Sequence, residues 1–242
     1  MKRFGQALLA IAALLLVYLA IAATWAAASV DTLLARHPAT QAALLSPRQL
    51  AILLQIEDPT FFSHHGLSLA DGQGVATLSS AVARDLFLYD AQLDGVNGQL
   101  QRFYRGVFEC CKKVDLGRDT MALVLDASAS KERQLAIYAA TVYMGRHAGR
   151  QVKGLYEAAE AYLGKPLAAA SDDEMAGLVA MIKAPNEFHP LRNPEAYQRR
   201  LARVRAVLAE RCRPDGWLDT AYAHCSSATF RGVAAPLRRS TR

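Results

Sequence analysis

Glu57-Asp58-Pro59-Thr60-Phe61-Phe62-Ser63-His64-His65-Gly66 puts a carboxylate at the end of an apolar helix, and the residues before it explain why a helix forms there. Ser46-Pro47-Arg48-Gln49 reads as a capping box: Ser46 caps, Pro47 opens the first turn with no N–H to lose, and Gln49 returns a hydrogen bond. Leu50, Ile52, Leu53, Leu54 and Ile56 follow at helical spacing. Pro59 biases Asp58 away from the α region, so the predicted helix ends at Glu57. Glu57 then lies at the negative end of a helix dipole on an oily element. Both factors disfavour its charged form and raise its pKa toward neutrality, where a carboxylate can work as a general base. Spacing alone leaves open a surface Glu near a frayed helix end.

Toward the N-terminus, Phe4 to Val30 contains no charged side chain and is dominated by Leu, Ala, Ile and Val. At about 1.5 Å per residue this run can cross a hydrocarbon layer of roughly 30 Å. Lys2 and Arg3 precede it, which by the positive-inside rule leaves the N-terminus in the cytoplasm and the chain after Asp31 outside. A cleaved signal peptide is the rival, with Ala26-Ala27-Ala28 as small residues for a peptidase; the length of the run favours an uncleaved anchor. The first thirty residues are expected to stand apart from the core.

A chain of 242 residues supports one domain with a proper core, or at most two small ones. Its net charge of +6 and pI near 9.2, combined with this topology, point to an anionic lipid surface or a phosphate-bearing lipid and away from nucleic acid. Arg238-Arg239-Ser240-Thr241-Arg242 is expected to be a solvated basic end. Among the four cysteines, Cys212 and Cys225 would close a modest loop in an oxidising compartment. Cys110 and Cys111 are adjacent, so a bridge between them would be strained; they pair elsewhere or stay reduced. No CxxC or Cys/His spacing argues for zinc.

Helical spacing is predicted over 47–57, 74–88, 118–128, 131–144, 153–163, 172–183 and 194–210, with no strong alternating strand pair. Ser171-Asp172-Asp173-Glu174 is a second cap, and Pro185 ends that helix. Gly95, Asn97 and Gly98 mark a loop within 89–105. The chain divides into a cytoplasmic N-terminus and transmembrane anchor (1–30), a linker (31–45), a mainly α-helical domain (46–210) and a C-terminal extension (211–242).

Taken together, these motifs resemble glycosyltransferase family 51, the peptidoglycan glycosyltransferases, over roughly Ser46 to Glu210. The family pattern Glu-Asp-x-x-Phe-x-x-His-x-Gly is met by Glu57, Asp58, Phe61, His64 and Gly66. Gly74 to Leu88 is similar to Gly-x-Ser-Thr-Ile-Thr-Gln-Gln-Leu-x-Lys-Asn-Leu-Phe-Leu. Ser130-Lys131 through Tyr138 looks like the Ser-Lys-x-x-Ile-Leu-Glu-x-Tyr helix; the Ala184-Pro185-Asn186 turn, Pro190 to Pro194, and Arg203 with Val207-Leu208 follow in order. The resemblance implies a lysozyme-like, mainly α fold behind one transmembrane helix, in the bacterial inner membrane with the domain in the periplasm. It implies polymerisation of lipid II, the undecaprenyl-pyrophosphate disaccharide-peptide, into β-1,4 glycan with inversion at the sugar carbon. Glu57 would be the catalytic base, and Asp58, Phe61, His64, Thr77, Ser79, Arg84 and Lys131 substrate-binding residues. Arg84 stands where the family carries Lys and would stabilise the departing pyrophosphate, with or without a divalent cation (Mg or Mn) as cofactor; no residue is assigned as a metal ligand. Other wall-synthesis proteins are implied partners.

The departures from the family pattern fall on functional positions. Ser80-Ala81 replaces the Gln-Gln pair, Ala76 the first Ser, and Arg84-Asp85 the Lys-Asn pair. The second catalytic Glu aligns with Arg118 or Leu116, with Asp115 and Asp119 as nearby carboxylates; the later Glu and Asn become Ala136 and Ala140. The connection from Gly66 to Gly74 lacks most of the segment expected to embrace the donor. A lipid II-binding or scaffold relative without catalysis, and a lytic enzyme using one acid, are the alternatives.

Overall fold

Ser46 caps the helix α2 (Pro47–Glu57) as its sequence requires: Gln49 N–H donates to Ser46 Oγ at 3.2 Å, and Ser46 N–H donates to Gln49 Oε1 at 3.0 Å. The computed structural model describes residues 2–37, 45–74, 76–110 and 115–226. The Arg238–Arg242 tail and Cys111 lie outside the described residues. Gln49, Ile52, Leu53 and Ile56 form the buried stripe of α2, which packs on α8 (Asp172–Ile182) and α9 (Pro194–Leu208). α8 carries the second capping box, with Asp172, Asp173 and Glu174 in its first turn favouring the positive end of the dipole. Met175 through Met181 are all buried, so α8 is the central rod of the domain.

The remaining elements in chain order are α1 (Lys2–Leu34), α3 (Leu78–Arg84), α4 (Gly95–Cys110), α5 (Leu116–Ser128), α6 (Lys131–Thr141), the strands β1 (Tyr143–His147) and β2 (Arg150–Lys153), and α7 (Gly154–Leu163). The mainly α expectation stands. The helix expected over 74–88 is shorter, because Thr77 caps α3 and Gly74 is left-handed at φ +76°. Beyond Arg84 the chain widens into a π-helical turn, Asp85–Asp90, that buries Leu86, Phe87 and Leu88 in succession.

Three sequence expectations are corrected. The helix expected to reach 144 stops at Thr141, and an antiparallel hairpin follows with Arg146 opposite Gln151 and His147 opposite Arg150. Its turn uses Ala148 at φ 47° and Gly149 at φ 82°, and strands of five and four residues are too short to display alternation. The connection expected as a loop is largely helix α4. Gln101 fixes it by accepting from Leu93 N–H at 3.0 Å and donating to the Phe87 and Ala91 carbonyls at 2.8 and 2.6 Å. Gly98 lets it approach: a Cβ there would sit 2.1 Å from the Leu93 carbonyl oxygen.

The third correction concerns α1. Phe4, Leu9, Leu14 and Leu16 are exposed, whereas Ala22, Trp25, Ala26, Val30, Leu33 and Leu34 belong to the core. Trp25 stacks on Tyr104 of α4 with centroids 5.4 Å apart and meets Phe87 at 5.8 Å. The C-terminal third of the anchor helix is therefore part of the domain, packed on α5, and Arg133 caps it by donating to the Leu34 carbonyl at 2.7 Å. α1 is a helix long and apolar enough to cross a membrane. Its exposed apolar part, Phe4 to Ile21, is about 27 Å long at about 1.5 Å per residue, close to one hydrocarbon layer.

Candidate active site

Glu57 ends α2 because Asp58 leaves the helix at φ −162°, ψ 78° ahead of Pro59. Its carboxyl stands on the floor of a cleft of about 360 Å³, bounded by the start of α3, Tyr138 of α6, Lys183 after α8, Arg200 of α9 and Thr220 of the C-terminal segment. Protein surrounds the side chain except toward the cleft mouth, so it keeps partial solvent access. Burial pushes its pKa up from 4.5 to about 7, and the Asp58 charge adds to this. Arg200, Lys183 and a hydrogen bond from Tyr138 act in the opposite direction without cancelling it. A carboxyl poised near neutrality at the bottom of a cleft is suited to taking a proton from a hydroxyl.

Cations face it. Arg84 lines the cleft at the end of α3, its guanidinium aligned by Nε donating to Asp85 Oδ1 at 2.7 Å. Lys183 and Arg200 also line the cleft, and burial lowers the pKa of both. Among the described residues Glu57 is the only carboxylate in the lining. Asp115 instead caps α5, accepting from Arg118 N–H at 3.1 Å, and Asp119 is held by Arg118 at 2.6 and 3.0 Å.

The other expected site residues divide into two groups. Thr77 lines the cleft, but its hydroxyl is committed to capping: it donates to the Gly66 carbonyl at 2.6 Å and accepts from Ser80 N–H at 3.0 Å. Asp58, Phe61, His64, Ser79 and Lys131 do not line the cleft. They form a network behind Glu57. Asp58 Oδ2 takes bonds from His64 Nε2 and Leu78 N–H, both at 2.9 Å. Lys131 pairs with Asp126 at 2.6 Å, donates to Ser79 Oγ at 3.3 Å and sits 4.8 Å over the Phe61 ring. Ser79 Oγ donates to Gln134 Oε1 at 2.6 Å. Burial explains the difference: a buried charge requires partners, and these groups find them in one another and in Asp126 and Gln134, with Asp58 Oδ1 left unpaired.

Tyr138, Lys183, Arg200 and Thr220 escaped the sequence reading as site residues. Lys183 left a signal, a lone cation closing an apolar helix just before the Ala184-Pro185 turn. Arg200 and Thr220 left none, since their place depends on tertiary return of the chain.

That return is made by the segment after α9, where Cys212 and Cys225 are disulfide-bonded with Cα atoms 5.6 Å apart. His224 lies close to both sulfurs, but the bond between them leaves this trio unsuited to hold a metal. Cys110 is a free, exposed thiol.

The sequence profile of the family described as Transglycosylase matches residues 29–210. The chain is similar to penicillin-binding protein 1B of Escherichia coli (strain K12), 31% identical over 163 residues that cover 61% of this chain and 17% of that protein. Similar relations hold with penicillin-binding protein 1B of Vibrio cholerae (30% identical, 65% of this chain, 20% of the relative) and penicillin-binding protein 1A of Pseudomonas aeruginosa (29%, 69% and 19%). The chain thus spans about a fifth of the length of these relatives. The matched span begins inside α1 and takes in α2 with Glu57, the Arg84 helix and the Lys183 turn; the protein belongs to the transglycosylase family, glycosyltransferase family 51, with its lysozyme-like, mainly helical domain.

Proposed function

We infer that the protein is a peptidoglycan glycosyltransferase that polymerises lipid II at the periplasmic face of a bacterial inner membrane. The observation that carries this reading is Glu57, with its pKa raised to about 7, on the floor of a cleft whose other charged groups are cations. In the proposed reaction the acceptor's 4-hydroxyl loses its proton to the Glu57 carboxylate and its oxygen attacks the donor's anomeric carbon from the side opposite the leaving group. A C–O bond forms, the bond from that carbon to the pyrophosphate oxygen breaks, and the configuration inverts. Arg84 and Lys183 meet the charge developing on the pyrophosphate. A divalent cation would need several oxygen ligands, and a lining with one half-protonated carboxyl among three cations does not provide them. Charge neutralisation therefore falls to the side chains. The exposed half of α1 would hold the cleft beside the bilayer that carries the substrate, with Lys2 and Arg3 on the cytoplasmic side.

The test is polymerisation of labelled lipid II by the full-length protein in detergent, against Glu57→Gln. Glycan chains from the wild type and a loss of at least about 100-fold in the variant support the reading. No chains from the wild type, with lipid II still bound, would overturn it in favour of a binding protein.

A further inference from the structure

The connection that follows Gly66 is held, at Gly72 and Gly74, by the chain beyond α9. Gly72 N–H donates to the Gly216 carbonyl at 3.0 Å and Gly74 N–H to the Trp217 carbonyl at 2.6 Å, both on the disulfide-closed segment that lies beyond the span matched to the family. Gly72 fits only as glycine: its φ is +77°, and a Cβ would meet Pro214 Cγ at 2.4 Å. Tyr222, fully buried, donates to the Ile56 carbonyl at 2.9 Å, one residue before Glu57, and stacks under Arg200 at 4.7 Å. Thr220 accepts from Lys183 Nζ and lines the cleft. The segment 212–225 thus touches the residue before the base, the cations Lys183 and Arg200, and the glycines at 72 and 74.

Between the two pinned glycines sits Gln73. It is 6% exposed, it lines the cleft, and its Nε2 has no hydrogen-bond partner, while its Oε1 meets Thr60 Oγ1 at 3.5 Å. A buried amide donor costs free energy unless something accepts from it, and Gln73 is one of the residues that line the cleft. We propose that the disulfide-closed segment 212–225 is a working wall of the substrate cleft and that it places Gln73 as a substrate-binding residue, donating to a hydroxyl or carbonyl oxygen of a substrate sugar beside Glu57. The proposal rests on the glycosyltransferase reading for the identity of that sugar.

Full-length protein in detergent is compared with Gln73→Met, which keeps the side-chain length and removes the donor without adding a charge, with the Cys212→Ser/Cys225→Ser pair, and with the triple variant. Lipid II polymerisation gives kcat and KM, fluorescent lipid II gives binding, and hydrogen exchange reports the Gly72 and Gly74 amides. Expected are a roughly tenfold rise in KM and in lipid II dissociation constant for Gln73→Met, with the smaller effect on kcat. The cysteine pair is expected to show faster exchange at Gly72 and Gly74 and the same KM rise, with no further loss in the triple variant, because both changes remove one contact. Unchanged KM and binding in Gln73→Met, or unchanged exchange in the cysteine pair, overturns the proposal while wild-type polymerisation leaves the function standing. Conversely, a wild type that binds lipid II through Gln73 without extending it overturns the function and keeps the wall.

Discussion

Replacing Glu57 with Gln should abolish polymerisation and, above neutral pH, make the protein more stable. The fold raises the Glu57 pKa from 4.5 to about 7, chiefly by burial, so it favours the protonated carboxyl. Below pH 4.5 the group is protonated folded and unfolded, and it imposes no penalty. As pH rises through 4.5 to about 7 the unfolded chain releases its proton first, and stability falls; above about 7 the full cost of an ionised Glu57 is present. At about 1.4 kcal/mol per pH unit that displacement corresponds to about 3 kcal/mol. The opening toward the cleft mouth lets water screen the charge, which brings the expected figure to about 1–2 kcal/mol. Gln is nearly isosteric, can still accept from Tyr138 and does not titrate. Denaturant midpoints of the detergent-solubilised full chain are measured at pH 4.5, 6 and 8.5. Wild type and variant should coincide at the lowest pH and diverge in favour of Gln across the window, with the gap level above about pH 8. A gap that is constant with pH, or a wild type more stable at pH 8.5, would refute the claim that desolvation strains Glu57.

Three further outcomes are expected. Arg84→Gln should lower kcat by roughly 10–100-fold and Arg84→Lys should recover most of it, since the requirement is a cation at the leaving group; equal losses in both would show that alignment by Asp85 matters more than charge. A chain starting at Ala22 should keep its fold when purified, whereas one starting at Asp31 loses Trp25, Ala26 and Val30 from the core and should fall by at least about 3 kcal/mol; equal thermal midpoints would mean that α1 is dispensable to the domain. Gly66→Ala should cost about 1–3 kcal/mol, because φ is +87° and a Cβ would lie 2.8 Å from the Ala122 carbonyl oxygen, and a wild-type midpoint would contradict that close approach.

The elements most legible in the sequence were those whose ends carry their own chemistry. α2 and α8 each announce themselves with a capping box, and both run as the caps require. Where the determinant is a tertiary contact, local reasoning failed. α4 carries Gly95, Gly98 and Gly106, which lower its helix propensity and hide an amphipathic period that is present in its sequence; its order comes from Gln101 and the Trp25–Tyr104 stack. The docking of α1 was hidden for a related reason. A uniformly apolar helix shows no stripe, so sequence cannot say where lipid ends and core begins at Ile21 and Ala22.

The site shows the same division, with a consequence for how its altered motifs are understood. The motif retained whole, Glu57 to Gly66, contributes one side chain to the cleft lining; Asp58 and His64 lock the base from behind, bonded to each other and to the start of α3. Such a network must keep every member, because removing one strands a buried charge, and this accounts for an intact motif in a chain that departs elsewhere. The departures divide: Ala76, Ala81 and Arg84 line the cleft, whereas Ser80, Arg118 and Ala136 are buried in new local settings, Ser80 by donating to the Thr77 carbonyl at 2.9 Å and Arg118 by pairing with Asp119. Ala81 lines the cleft at a position where the resembled motif carries Gln, and substitution there leaves no buried group unsatisfied. Against the amide lost at 81 stands Gln73, which lines the same cleft and is carried between the two glycines that the disulfide-closed segment holds. Machinery behind the base is thus constrained by burial, whereas polar contacts in front of it can move from one wall to another provided a new element fixes the new donor.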